Sequence, residues 1–255
     1  LRSELTVEEK HVLAERLRFD AGPPDPVHVV QGTDLLHTEK IAPIIETVQQ
    51  RLNVKSKAAA ASIFAKRYSY AIAVTGLYAM SALDKELDLS PGNVSLTPDP
   101  ENPLWIPSLH LKRHTAEPRG NKYRDEWRKQ VIQRLFKENI NPVWDALSDA
   151  ARISKYVLWE NTAIYIYWLY EKELLPSGQY QHAKKDFNFL LDPDNGAVFG
   201  AYSNNPIARY YSRPQPAGTE TIRFRKTCCS SYQLPKGKYC KTCPMTKECR
   251  EKAVR

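Results

Sequence analysis

The sequence predicts an α+β protein: a helix-rich body with a modest antiparallel sheet, ending in a small C-terminal cysteine-rich appendage. Three observations predict it. Apolar residues recur at helical spacing through much of the first 222 residues. Short alternating runs bounded by proline and asparagine break that spacing in two places. All five cysteines, at 228, 229, 240, 243 and 249, follow residue 227. With 255 residues, 42% hydrophobic and 26% charged, the chain has apolar mass for one large domain plus a small appendage. The expected division is a substrate-binding body over 1–222 and a cluster-binding segment over 223–255.

Residues 5–18 read as a first helix, with Thr6 and Glu9 spaced as a capping box. A proline-rich turn follows at 22–26. Residues 38–84 carry two or more helices, and their alanines and glycine allow close packing. The uncharged stretch Tyr68–Leu83 is too short to span a bilayer and reads as a buried helix. Asn93–Leu96 and Leu109–Arg113 alternate as strands. Helices return over Asn121–Asn139, interrupted by Asn141-Pro142, and over 148–174, the latter apolar almost all round from Tyr156 to Tyr170. A short helix is expected at 179–191. Ala197–Ser203 and Ile207–Arg213 read as a hairpin around Asn204-Asn205-Pro206. Thr219–Lys226 reads as a last strand running into Cys228, with Ile222 and Phe224 on one face and Arg223 and Arg225 on the other.

Charge concentrates in the tail. Residues 223–255 hold ten Lys or Arg and two Asp or Glu, a net of +8 that equals the charge of the whole chain. The body is therefore neutral. No nucleophile motif, phosphate-cradling loop or nucleotide fingerprint appears. No segment reads as a signal peptide or membrane span, which with the cysteine placement favours a reducing, cytoplasmic setting.

The cysteine pattern reads TCCSSYQLPKGKYCKTCP. Two adjacent cysteines precede ten residues and then a Cys-x-x-Cys. Pro235 and Gly237 let the intervening loop fold back and bring the pairs together. Adjacent side chains diverge, which suits a two-iron cluster better than one tetrahedral zinc, although zinc stays open on spacing alone. Cys249 adds a Cys-x2-Cys-x5-Cys that is similar to the [4Fe–4S] loop of helix-hairpin-helix DNA glycosylases. The preceding spacing is longer than in that family, and Cys249 reads as a spare thiol.

The double cysteine, ten residues and Cys-x-x-Cys resemble the FhuF-type ferric-siderophore reductases, and Leu158-Trp159-Glu160-Asn161 looks like the Leu-Trp-x-Asn signature of that family and of related siderophore synthetases. The resemblance implies a [2Fe–2S] cluster on Cys228, Cys229, Cys240 and Cys243. It implies an oxidoreductase that reduces chelated Fe³⁺ to Fe²⁺ and so releases iron in the cytoplasm. Expected partners are a ferric siderophore of hydroxamate or citrate-hydroxamate type and an external electron donor such as a ferredoxin or flavin reductase. Loose association with the inner face of a membrane is a further expectation. A basic nucleic-acid-binding protein organised by zinc or [4Fe–4S] is the alternative, and in the favoured reading no nucleic acid is expected.

Several residues are candidates for substrate contact. Arg223, Arg225 and Lys226 lead into the cysteines. His110, Arg113 and His114 form a basic group with Lys112 after an alternating run. Arg209 and Tyr211 lie on the expected hairpin, and Trp159 lies in the aromatic helix with Tyr165, Tyr167, Trp168 and Tyr170. For that helix, core packing is the default. His28 and His37 have no partners at metal spacing.

Overall fold

A computed structural model describes residues 2–217 and 219–246. Helix α1 (Val7–Leu17) starts at the expected capping box: Thr6 Oγ1 accepts from the Glu9 N–H at 3.2 Å, and Glu9 Oε2 accepts from the Thr6 N–H at 3.0 Å. Helices α2 (Thr38–Leu52) and α3 (Lys57–Ser69) follow. Ser56 caps α3 by accepting from the Ala59 N–H at 3.1 Å. Beyond Ser69 the chain widens into a π-helical turn over Tyr70–Val74 and continues as α4 (Thr75–Ala82). The uncharged stretch is therefore a buried helical run, as its composition predicts.

Two small antiparallel sheets flank this run. Strands β1 (Ser3–Glu4), β3 (Lys85–Leu87) and β6 (Thr115–Pro118) form one sheet in the order β1-β6-β3. Strands β2 (Val30–Gln31), β4 (Val94–Pro98) and β5 (Pro107–Leu111) form the other, with Val94 opposite Leu111. The strands expected at 93–96 and 109–113 are thus present, shifted by a residue or two.

The next helices depart from expectation at their ends. Helix α5 (Arg124–Leu135) does not stop at Asn141-Pro142; it passes through a π-helical turn, Phe136–Ile140, into α6 (Asn141–Ala151). Pro142 follows directly on that π-helical turn, a widening of the helix of the kind found where a proline interrupts the hydrogen-bond ladder. The expected 148–174 helix is broken instead at Arg152, which is left-handed (φ 50°), and Ser154 caps a new helix, α7 (Lys155–Trp168). A π-helical turn over Leu169–Leu174 and the short α8 (Leu175–Ser177) end that run, and α9 (Ala183–Leu191) follows.

The hairpin expected at 197–213 is absent, and 3-10 turns stand at Asn195–Val198 and Ala208–Tyr210. Buried Asn205 explains the difference. Its Oδ1 accepts from the N–H groups of Ile207 and Ala208, while its Nδ2 donates to the carbonyls of Leu190 and Asp192. An asparagine that satisfies four backbone groups favours a compact turn over a strand ladder. The last expected strand is shorter too: β8 (Glu220–Ile222) pairs with β7 (Gln215–Ala217), and residues 223–226 leave the sheet.

At the centre α3 and α7 pack against one another, with Ser69 Oγ and Thr162 Oγ1 3.0 Å apart in the buried seam. Phe136, Trp159 and Phe199 form an aromatic cluster beside it. Among the described residues, no helix is long and apolar enough to cross a membrane.

Candidate metal centre

Helix α7 is apolar apart from a few positions, and two of those build the seat of the cysteine segment. Glu160 and Asn161 are 2% and 0% exposed. Polar groups buried this deeply need partners, and the tail supplies them. Glu160 accepts from the backbone N–H groups of Lys226 and Thr227, each at 2.6 Å, and from the Thr227 hydroxyl. Asn161 Oδ1 accepts from Arg225 Nη2 at 2.7 Å. The Asn161 Nδ2 donates to Ser62 on α3 at 3.0 Å, and Ser62 Oγ donates onward to the Cys229 carbonyl at 2.9 Å. One carboxylate and one amide therefore fasten the chain on both sides of the double cysteine to α3 and α7. The Arg225 N–H also donates to the Thr242 carbonyl at 2.8 Å, which draws in the Cys-x-x-Cys turn.

All four cysteines are free thiols; Cys229 and Cys243 are buried, Cys228 is half-buried and Cys240 exposed. Each has a hydrogen bond to the residue two positions on. The N–H groups of Ser230 and Met245 donate to Cys228 Sγ and Cys243 Sγ, both at 3.4 Å. Cys229 Sγ lies 3.2 Å from Ser231 Oγ, and Cys240 Sγ lies 3.5 Å from Thr242 Oγ1. Lys66 on α3 reaches to 4.0 Å from Cys229 Sγ and donates to Ser231 Oγ at 3.3 Å.

The thiols act on one another electrostatically, Cys228 with Cys243 and Cys229, and Cys240 with Cys229 and Cys243. The bond donated by Cys240 draws the Cys229 thiol down to about 4 against the opposing effect of burial, and Lys66 and Arg225 add to that pull. Donating the same bond pushes Cys240 up, and burial pushes Cys228 up. Among the described residues, no group of three or more His, Cys, Asp or Glu side chains is drawn together tightly enough to ligate one metal ion. Cys228, Cys229, Cys240 and Cys243 would supply the four thiolates that a [2Fe–2S] cluster needs. Cys249 lies outside the described residues.

The candidate substrate residues fall into separate places. Arg225 is 5% exposed and occupied by Asn161. Arg223 forms a two-pronged pair with Glu171, at 2.8 and 2.9 Å, and Tyr211 donates to the same carboxylate at 2.8 Å. Lys226 donates to the Arg209 carbonyl at 2.7 Å. The Arg209 guanidinium stacks 4.2 Å over Tyr156 at the mouth of a cavity of about 790 Å³, which Trp159, Tyr202, Asn204 and Tyr210 also line. Trp159 itself is nearly buried and donates to Tyr202 Oη at 2.9 Å.

The other basic group stands elsewhere. Buried His110 donates through Nδ1 to the Gly22 carbonyl at 3.0 Å, Arg113 pairs with Asp88 at 3.0 Å, and His114 packs edge-on to Phe19. None of the three has a hydrogen bond, ion pair or ring contact with the cysteine segment among the described residues. Sequence reasoning missed the parts played by Glu160, Asn161, Ser62 and Lys66. A Glu-Asn pair inside an apolar helix was the available signal.

Comparison with known proteins agrees with this architecture. The family model for the ferric iron reductase FhuF-like transporter matches residues 62–199, more than half of the chain. That of the FhuF 2Fe-2S C-terminal domain matches residues 225–244. No curated protein sequence matches the chain. Among solved structures, aerobactin synthetase IucC from a hypervirulent pathotype of Klebsiella pneumoniae is similar in fold, with a TM-score of 0.50 and 13% identity over 73% of this chain. The chain spans 37% of that synthetase. Seat, thiols and both family matches lead to one conclusion: the chain belongs to the FhuF-like ferric iron reductase family, and its cofactor is a [2Fe–2S] cluster.

Proposed function

We propose that this protein is a ferric-siderophore reductase whose cluster is held by Cys228, Cys229, Cys240 and Cys243. The observation that carries the proposal is the seat just described, in which Glu160 and Asn161 fix the cysteine segment to the body. In this reading residues 1–222 bind the substrate, residues 223–255 hold the cluster, and the reaction takes place in the cytoplasm. When bound, the cluster supplies single-electron transfer at a potential set by charge, hydrogen bonds and exposure.

The chain's own residues do the rest. The N–H groups of Ser230 and Met245 donate to two sulfurs, and Lys66 places a positive charge beside a third; all three interactions favour the reduced, more negative state. Arg225 and Glu160 neutralise each other within the seat, 3.7 Å apart. The cavity beside Lys226 has room for a chelate, and its lining includes the basic residues Lys155 and Arg209 and the aromatic residues Tyr156, Trp159, Tyr202 and Tyr210. Arg223 and Tyr211 are held to each other through Glu171, outside the residues that line the cavity.

The chemistry suits the substrate class. Siderophores hold Fe³⁺ with hard anionic oxygens, and Fe²⁺ has lower charge and a larger radius. One electron lost by the external donor and gained by the chelated iron therefore loosens the metal and leaves the chelator intact. Hydroxamate and citrate-hydroxamate chelates are the proposed classes.

The test is a single turnover. Protein reduced by dithionite and freed of excess reductant is mixed anaerobically with a ferric hydroxamate and a coloured ferrous trap. One trapped Fe²⁺ per chain, with return of the oxidised spectrum, is expected. Protein that stays reduced beside the chelate would refute the proposal.

A further inference from the structure

A reductase that delivers electrons singly must also be supplied with them singly, and the structure points to where. We propose that the exposed rim of the cysteine loop is the docking surface for an acidic one-electron carrier protein. The inference rests on the reductase reading for its purpose, and on the loop itself for its residues.

Between Thr227 and Thr246 the chain has three lysines and no acidic residue. Lys241 is paired with Glu220 at 2.8 Å. Lys236 and Lys238 are exposed, and neither has an ion-pair partner among the described residues. Between and beside them stand Tyr232 and Tyr239, 40% and 49% exposed, with ring centroids 4.8 Å apart. Cys240 follows directly and is the exposed thiol of the four. The rim therefore combines uncompensated positive charge, two aromatic surfaces suited to protein contact, and the sulfur closest to solvent.

The rim is also held in shape. Lys236 is left-handed (φ 59°), and the Gly237 N–H closes a turn onto the Leu234 carbonyl at 2.6 Å. A Cβ on Gly237 would meet the carbonyl oxygens of Leu234, Ser231 and Tyr232 at 2.7–2.8 Å. Leu234 packs against the core, and Ser231 is tied to Lys66 on α3. A surface ordered before binding loses little entropy on docking.

None of these rim residues lines the cavity assigned to the chelate. Donor and acceptor thus approach the cysteines over different surfaces, and both can be present at once. A phosphodiester backbone would also meet the two lysines. Against it stand their small number and the exposed tyrosines set beside the redox thiol, so an acidic carrier is the occupant we infer.

The experiment uses cluster-loaded protein and an oxidised acidic ferredoxin as probe, with association followed over a range of salt concentrations. Lys236→Glu/Lys238→Glu is expected to slow association about tenfold or more at low salt, with wild type and variant converging at high salt. Lys129→Glu/Lys137→Glu changes the net charge equally on exposed positions in and after α5 and is expected to leave the rate near that of wild type. The cluster absorption of each variant reports that it is folded. Absence of ferredoxin binding, equal rates in the rim variant, or tighter binding to duplex DNA than to ferredoxin would overturn the inference. Chelate reduction by chemically pre-reduced protein is measured alongside. Its failure with docking intact would count against the reductase reading alone, and docking failure with that turnover intact would count against the rim alone.

Discussion

Arg225 places Nη2 2.7 Å from Asn161 Oδ1, and both residues are buried. One belongs to the tail and the other to the central helix, 64 positions apart in sequence. This contact and the neighbouring Glu160 carboxylate make the cluster-binding segment a docked part of the fold. Removing one partner leaves a buried charge or amide unsatisfied. Glu160→Gln and Asn161→Ala should each cost about 3–5 kcal/mol, the range for breaking a buried charged pair or network. Thermal unfolding of the holoprotein, with the rate of iron loss to a chelator, checks this. Unchanged iron retention in both variants would contradict the role assigned to α7.

Lys66 places its ammonium 4.0 Å from Cys229 Sγ, a proposed ligand. A positive charge stabilises the more negative, reduced state. Lys66→Met should therefore lower the cluster's reduction potential, on the order of 60 mV, which is about 1.4 kcal/mol for one electron. Spectroscopic redox titration measures it, and an unchanged or raised potential would remove Lys66 from the account.

Gly237 faces three carbonyl oxygens with no room for a side chain. Gly237→Ala should force the loop between the cysteine pairs to shift. The expected result is lower iron and sulfide content per chain with the body still folded, read by metal analysis beside far-ultraviolet circular dichroism.

The Glu171–Arg223 pair predicts a pH dependence. Burial pushes the Glu171 carboxyl up, but hydrogen bonds from Arg223 and Tyr211 outweigh it and hold the group below its usual 4.5. A depressed folded value means that the pair's stabilisation is present above the unfolded value and is lost as pH falls through the folded one. Arg223→Gln should therefore be less stable than wild type at neutral pH, by about 1 kcal/mol or less for a partly exposed pair. The gap should narrow below the ordinary carboxylate range. Denaturant unfolding at pH 7 and pH 3 compares the two.

The cysteine pattern was legible in the sequence because adjacent and Cys-x-x-Cys spacings carry their geometry locally. Helices α1, α2 and α3 were legible for the same reason, since caps and apolar periodicity are short-range signals. The failures share a cause. Asn204-Asn205-Pro206 reads as a hairpin turn until Asn205 finds carbonyls on α9. Asn141-Pro142 reads as a helix stop until a π-helical turn carries the chain past it. The Leu-Trp-x-Asn resemblance marks the position of Glu160 and Asn161, but their partners lie more than 60 residues away, and no local pattern names those. The aromatic helix reads as core from its sequence, and most of it is buried. Its two polar residues were the part that mattered for the site.

The central claim is that four particular thiols hold a two-iron cluster on this seat. Iron and acid-labile sulfide per chain, measured on the purified wild type and on five single Cys→Ser variants, test it most directly. The account predicts two iron and two sulfide in the wild type and in Cys249→Ser, and loss of both in the variants of Cys228, Cys229, Cys240 and Cys243. One zinc without sulfide in the wild type, or loss of iron in Cys249→Ser, would contradict it.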